Sequence, residues 1–192
     1  MRWAMRILLL LAVAFILSLI PLAWLAVSAY RKYRGKRVIT CPETRAPAAV
    51  ELDALHAVSS ELTGSVDLRL QSCSRWPERE GCGQECLAQI EAAPEDCLVR
   101  TMLTKWYRGA ACVLCGRDIG EIRWSERKPA LMSPDRKTLE WDEVPPDELP
   151  SVLATHYRIC WDCHIAESFR ARHPELVLDD PLHRAARRSR AS

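Results

Sequence analysis

The chain has 192 residues, with 27 Lys and Arg against 25 Asp and Glu for a net charge of +2, and it carries nine cysteines. Residues 38–183 hold 16 of those bases and all 25 acids, a formal charge of −9; an acidic body between basic ends argues against DNA or RNA as the main partner, because neutralising phosphates takes a basic face. Nine thiols cannot all pair within one chain, and in a reducing compartment such thiols serve as metal ligands more often than as disulfides.

Residues 1–6 are a short flank bearing Arg2 and Arg6. Residues 7–30 then run through 24 positions without a charge, long enough as a helix to cross a hydrocarbon core of about 30 Å. This predicts a single transmembrane helix, with Pro21 inside it and Trp3 and Trp24 at interfacial depths. The small residues at 26–28 also suit signal-peptide cleavage, but the apolar run is longer than the roughly 7–15 residues such a segment needs. Five bases follow in residues 31–37 (Arg31, Lys32, Arg34, Lys36, Arg37), a juxtamembrane cluster suited to anionic lipid. The side richer in Lys and Arg tends to stay cytoplasmic, so the soluble part is expected there.

Residues 38–109 read as a first Cys-rich module. Strand-like runs at 38–41, 49–53 and 65–71 predict a small antiparallel sheet; the last alternates Val66, Leu68 and Leu70 with polar residues. Helices are predicted over 84–90 and 94–107, the second with Pro94 in its first turn, Leu98, Met102 and Trp106 on its apolar face, and Gly109 at its end. Cys41 and Cys73 close two strands and Cys82 and Cys86 stand one helical turn apart, so these four are a candidate second metal site. Cys97 reads as a small apolar residue on its helix.

Residues 110–174 read as a second module. Cys112-Val-Leu-Cys115-Gly116 is a tight turn, followed by strand-like pieces at 121–124 and 138–141 about the turn 133–136. A short helix is expected over 147–155, broken by Pro150. A longer one over 160–172 has Ile165 and Phe169 on its inner face and stops at His173-Pro174. Residues 175–192 end in a basic tail expected to be disordered. Trp76, Trp106, Trp124 and Trp141 are expected in the core.

Two Cys-x-x-C pairs, Cys112/Cys115 and Cys160/Cys163, deliver four soft thiolates, the ligand set of a tetrahedral structural zinc site. The second pair opens a helix, whose free N–H groups and dipole favour thiolate over thiol. A knuckle, a hairpin and then a Cys-x-x-C at a helix start resembles the treble-clef group of zinc modules over residues 110–174. The 44 residues between Cys115 and Cys160 exceed the usual spacing and imply an elaborated hairpin. The fold class expected is therefore α+β: an N-terminal transmembrane helix followed by two small Cys-rich modules, the second treble-clef-like, held by one or two zinc ions.

Other readings of the same residues stay open. Cys160-Trp-Asp-Cys163-His164 spells the attachment motif of haem c, with Cys160 and Cys163 bound covalently and His164 on iron, which would require export across the membrane. A thiol-redox role is a further alternative, with Trp161 shielding the pair, although no βαβ pattern surrounds it. Iron–sulfur spacing is not matched. The carboxylate pairs Glu78/Glu80, Asp142/Glu143 and Asp147/Glu148 stand beside no nucleophile or histidine frame and read as solvated surface. No phosphate loop, His-Glu-x-x-His or Gly-x-Ser-x-Gly is present. The expectation is a scaffold or interaction module at the cytoplasmic membrane face rather than an enzyme, its partners the bilayer and a membrane or cytoplasmic protein.

Overall fold

The computed structural model describes residues 2–76, 78–79 and 81–176; Glu80 and the tail from residue 177 onward lie outside the described residues. Helices and two three-stranded sheets alternate in an α+β chain that divides into two compact units, residues 1–102 with 145–150, and residues 103–144 with 151–192.

Helix α1 (Arg2–Tyr33) runs unbroken through Pro21, and its segment Met5–Tyr33 is long and apolar enough to cross a membrane. At 1.5 Å per residue those 29 residues reach about 43 Å, the span of a bilayer with its headgroups. Its large apolar side chains from Trp3 to Tyr30 are exposed, whereas Ala29 and Tyr33 are buried in the core of the first unit. The helix thus ends inside folded protein.

What terminates α1 is Arg37, fully buried. Its Nη2 donates to Lys32 O at 2.6 Å, and Nη1 donates to Tyr33 O at 2.6 Å and Gly35 O at 3.1 Å. The last carbonyls of a helix lack intrahelical donors and carry the negative end of its dipole, so a guanidinium satisfies both needs. This removes Arg37 from the lipid-facing cluster expected over 31–37, leaving Arg31, Lys32, Arg34 and Lys36 on the surface.

The first unit contains β1 (Arg37–Thr40), β2 (Pro47–Leu52), α2 (Ala54–Leu62), β3 (Leu70–Cys73) and α3 (Leu87–Ala92), with antiparallel order β1-β2-β3. Strand β2 buries Ala48, Val50 and Leu52 against Ile39, Leu70 and Ile90. Helix α2 was not anticipated, although Asp53 is its cap, accepting His56 N at 2.9 Å. Strand β3 is shorter than the alternation implied: Val66 is exposed, while Leu68 and Leu70 are buried. Cys82 precedes α3 in a loop, so the expected helical spacing of Cys82 and Cys86 does not hold.

Helix α4 (Val99–Tyr107) runs from the first unit's residues into the second's. It buries Val99, Leu103 and Tyr107, the face one position on from the expected Leu98, Met102 and Trp106, which are half-buried. Both sets have spacing four, so periodicity could not choose between them.

The second unit contains β4 (Ala130–Met132), β5 (Thr138–Glu140), α5 (Leu149–Thr155, shared across the division), β6 (Tyr157–Ile159) and α6 (Trp161–Arg172), in the order β5-β4-β6. The turn at 133–136 closes the hairpin as expected, but the strand entering it is β4, not 121–124. Residues 123–127 instead form a tight turn closed by Arg127 N to Arg123 O at 2.8 Å. Helix α6 buries His164 and leaves Ile165 and Phe169 about half exposed, reversing the predicted face. The four tryptophans expected in the core are half-buried; Trp124 and Trp141 meet edge to face at 5.5 Å.

Candidate metal centre

Two cysteine pairs offset by 48 residues along the chain meet in the second unit. Cys112 and Cys115 come from a loop closed by two backbone bonds, Cys112 N to Arg117 O and Gly116 N to Cys112 O, both 2.8 Å. Gly116 at φ 72° supplies the left-handed turn that lets the loop reverse so tightly. Val113 N reaches Arg158 O on β6 at 3.0 Å, which ties the loop to the strand leading into α6. Cys160 is the N-cap of that helix and Cys163 lies in its first turn.

The sulfurs of Cys112, Cys115, Cys160 and Cys163 all lie within 4.8 Å of one another, close enough to hold a metal ion. Cys115 Sγ and Cys160 Sγ are 3.8 Å apart. A tetrahedron of thiolates about 2.3 Å from a metal ion such as zinc has edges of about 3.8 Å, the separation of Cys115 and Cys160, and no other separation in the set exceeds it by more than about 1 Å. Cys112 is buried, Cys160 and Cys163 half-buried and Cys115 exposed. Around them the core is small: Ala130, Met132 and Ile159 are buried with Cys112, and Leu114 and Ile119 lean on them.

The thiols feel opposing influences. The Arg117 backbone N–H, and then its guanidinium, hold Cys115 well below the ordinary thiol range, down to about 6. Burial pushes Cys163 strongly up, and the neighbouring thiols add to the shift; burial also raises Cys160. Arg117, 3.7 Å from Asp162, is thus the cation beside Cys115, a role its place two residues after that cysteine did not reveal.

His164 takes no part in the cluster. It is buried with Nε2 3.9 Å from Glu140 Oε1 and Nδ1 3.5 Å from Ser168 Oγ, and burial lowers its pKa. Among the described residues, no further His, Asp or Glu joins the four cysteines.

The other cysteines are in the first unit. Cys41, Cys73, Cys82 and Cys86 line one cavity of about 60 Å³, but they do not gather as closely as the first four. Burial, followed by the charges of Cys73 and Cys82, pushes the Cys86 thiol up to about 11. Cys97 is half-buried just before α4, donates to Ala93 O at 3.1 Å, and is raised by burial. Of the carboxylate pairs, Asp142 bonds Lys128 at 3.0 Å and Glu143 caps the Glu140 N–H at 2.7 Å. No known family, curated protein or solved structure matches the chain.

Proposed function

We propose that this protein is a single-pass, membrane-anchored interaction module whose second unit is a treble-clef-like domain stapled by structural zinc. The observation that carries the reading is the set of four cysteine sulfurs gathered within 4.8 Å of one another from a tight turn and a helix start. A closed four-sulfur set leaves no position for water or substrate, which favours a structural over a catalytic ion. Zinc suits it because a d¹⁰ ion accepts soft thiolates in a tetrahedron without redox chemistry. The few buried residues around the cysteines cannot stabilise a unit of this size alone. Metal binding worth roughly 10–16 kcal/mol in small zinc modules is folding free energy here.

The anchor is α1, and the orientation follows from the bases flanking it, which favour a cytoplasmic position for both units. The haem c reading is disfavoured because His164 is buried beside Glu140 and Ser168, while Cys160 and Cys163 turn toward Cys112 and Cys115.

Elemental analysis and absorption spectroscopy of the full-length protein purified in detergent test this reading, together with a cytoplasm-dependent reporter on its C-terminus. Zinc without a visible band and an active reporter are expected, and chelation should render residues 103–176 sensitive to protease. A haem or cluster band, or a silent reporter, would overturn it in favour of an exported electron carrier.

A further inference from the structure

The first unit repeats, in a different sequence, the local architecture that positions Cys112. Cys41 N bonds Ala46 O at 2.9 Å and Arg45 N bonds Cys41 O at 2.8 Å. This is the same one-to-six, five-to-one pair that closes the loop from Cys112 to Arg117. Arg45 occupies the place of Gly116 and adopts the same left-handed backbone, φ 55° against 72°. A non-glycine residue there costs free energy, and such strain persists where the surroundings over-determine it.

The sheet brings the partners to this loop. Ile39 pairs with Ala48 and Val50 with Cys73, and cross-strand pairs share a face. Cys41, two residues beyond Ile39, therefore falls on the same face as Cys73, and it is the face packed against Cys86 and Ile90. Cys82 and Cys86 close the ring around the cavity of about 60 Å³. Arg75 also lines it; its Nη2 pairs with Glu78 at 3.0 Å, while its buried Nε–H has no hydrogen-bond partner among the described residues. Buried unsatisfied donors are rare and call for a partner. Arg75 stands two residues after Cys73, as Arg117 stands two after Cys115, and Arg117 is the cation beside that cysteine.

We propose that Cys41, Cys73, Cys82 and Cys86 form a second tetrathiolate site for a soft divalent cation, zinc by the chemistry of its donors, with Arg75 as the charge partner of the bound thiolates. Binding releases the thiol protons to solvent and draws the four sulfurs inward. It thereby ties the β1–β2 loop, the end of β3 and the start of α3 into one body. This site is independent of the one in the second unit.

The test is metal content of the full-length protein in detergent, wild type beside C82S/C86S and C112S/C163S. About two equivalents of zinc are expected in the wild type and about one in each double variant. Because C82S/C86S is at risk of misfolding, thiol alkylation of the wild type mapped by mass spectrometry supplies the second readout. Cys41, Cys73, Cys82 and Cys86 should resist modification until a chelator is added, and then react together. A single equivalent lost entirely in C112S/C163S would overturn the proposal, as would alkylation of these four at a rate indifferent to chelator, or a disulfide among them. A wild type with one equivalent retained in C112S/C163S but lost in C82S/C86S would support this site while removing the other.

Discussion

Replacing Arg37 with Met separates a structural role for this base from a role at the lipid surface. The guanidinium makes two short bonds of 2.6 Å, to Lys32 O and Tyr33 O, one of 3.1 Å to Gly35 O and a long one of 3.4 Å to Pro94 O. Methionine fills much of the volume but donates nothing, so the two best-bonded carbonyls lose their donor at a cost of about 1–3 kcal/mol each. The guanidinium's own desolvation, evident in its lowered pKa, offsets part of the gain from these bonds. A net loss of about 3 kcal/mol is expected. For a domain of this size each kcal/mol shifts Tm by about 4–8 °C, so the first unit should melt about 12–24 °C lower. The assay is thermal unfolding of the full-length protein in detergent, followed by protease cleavage within residues 38–98. Arg37→Lys should fall between, because an ammonium keeps the charge but not the planar fork. A Met variant within the range of ordinary surface changes, about 0.5 kcal/mol, would refute the capping argument and return Arg37 to the lipid-facing cluster.

Other predictions bear on the thiols and the two cores. After treatment with a chelator at pH 7, Cys115 should be the first thiol of its cluster alkylated by iodoacetamide, and its rate should fall as pH drops through about 6. A depressed thiol pKa contributes stability that is full above the unfolded value near 9 and lost as pH falls toward 6; Arg117→Gln removes the guanidinium but keeps the backbone N–H, so it should slow the early reactivity at pH 7 without abolishing it. Ile90→Ala, at a fully buried position, should cost about 2–5 kcal/mol by thermal or denaturant unfolding. Ile165→Ser on the exposed face of α6 should stay within about 0.5 kcal/mol, and a large loss there would restore the inner face first expected for that helix.

The parts of this protein legible in sequence are those whose signal is local. An uncharged run of 24 residues is a helix fit for a membrane whatever follows it. Strand-like runs located β1 and β2, the Ser-Pro-Asp-Arg turn located the hairpin's bend, and Cys-x-x-C spacing picked out the four cysteines that converge. Asp53 ahead of Ala54 is an equally local signal, a side chain able to accept a free helix N–H.

What only the tertiary structure decided is which side of each element faces inward. Strands β4 and β6 are three residues each, too short to show a period. On α4 two sets at spacing four competed, and packing chose Val99, Leu103 and Tyr107. On α6 the buried position went to a histidine because Glu140 and Ser168 stand beside it. Arg37 reads as one more base in a basic run, and its burial follows from the end of α1 folding back over it with free carbonyls. The loop of Cys41 shares almost no sequence with that of Cys112, yet its backbone closes in the same way. Local spacing names the atoms able to bind, but burial and convergence depend on contacts between residues far apart in the chain, which no short pattern encodes.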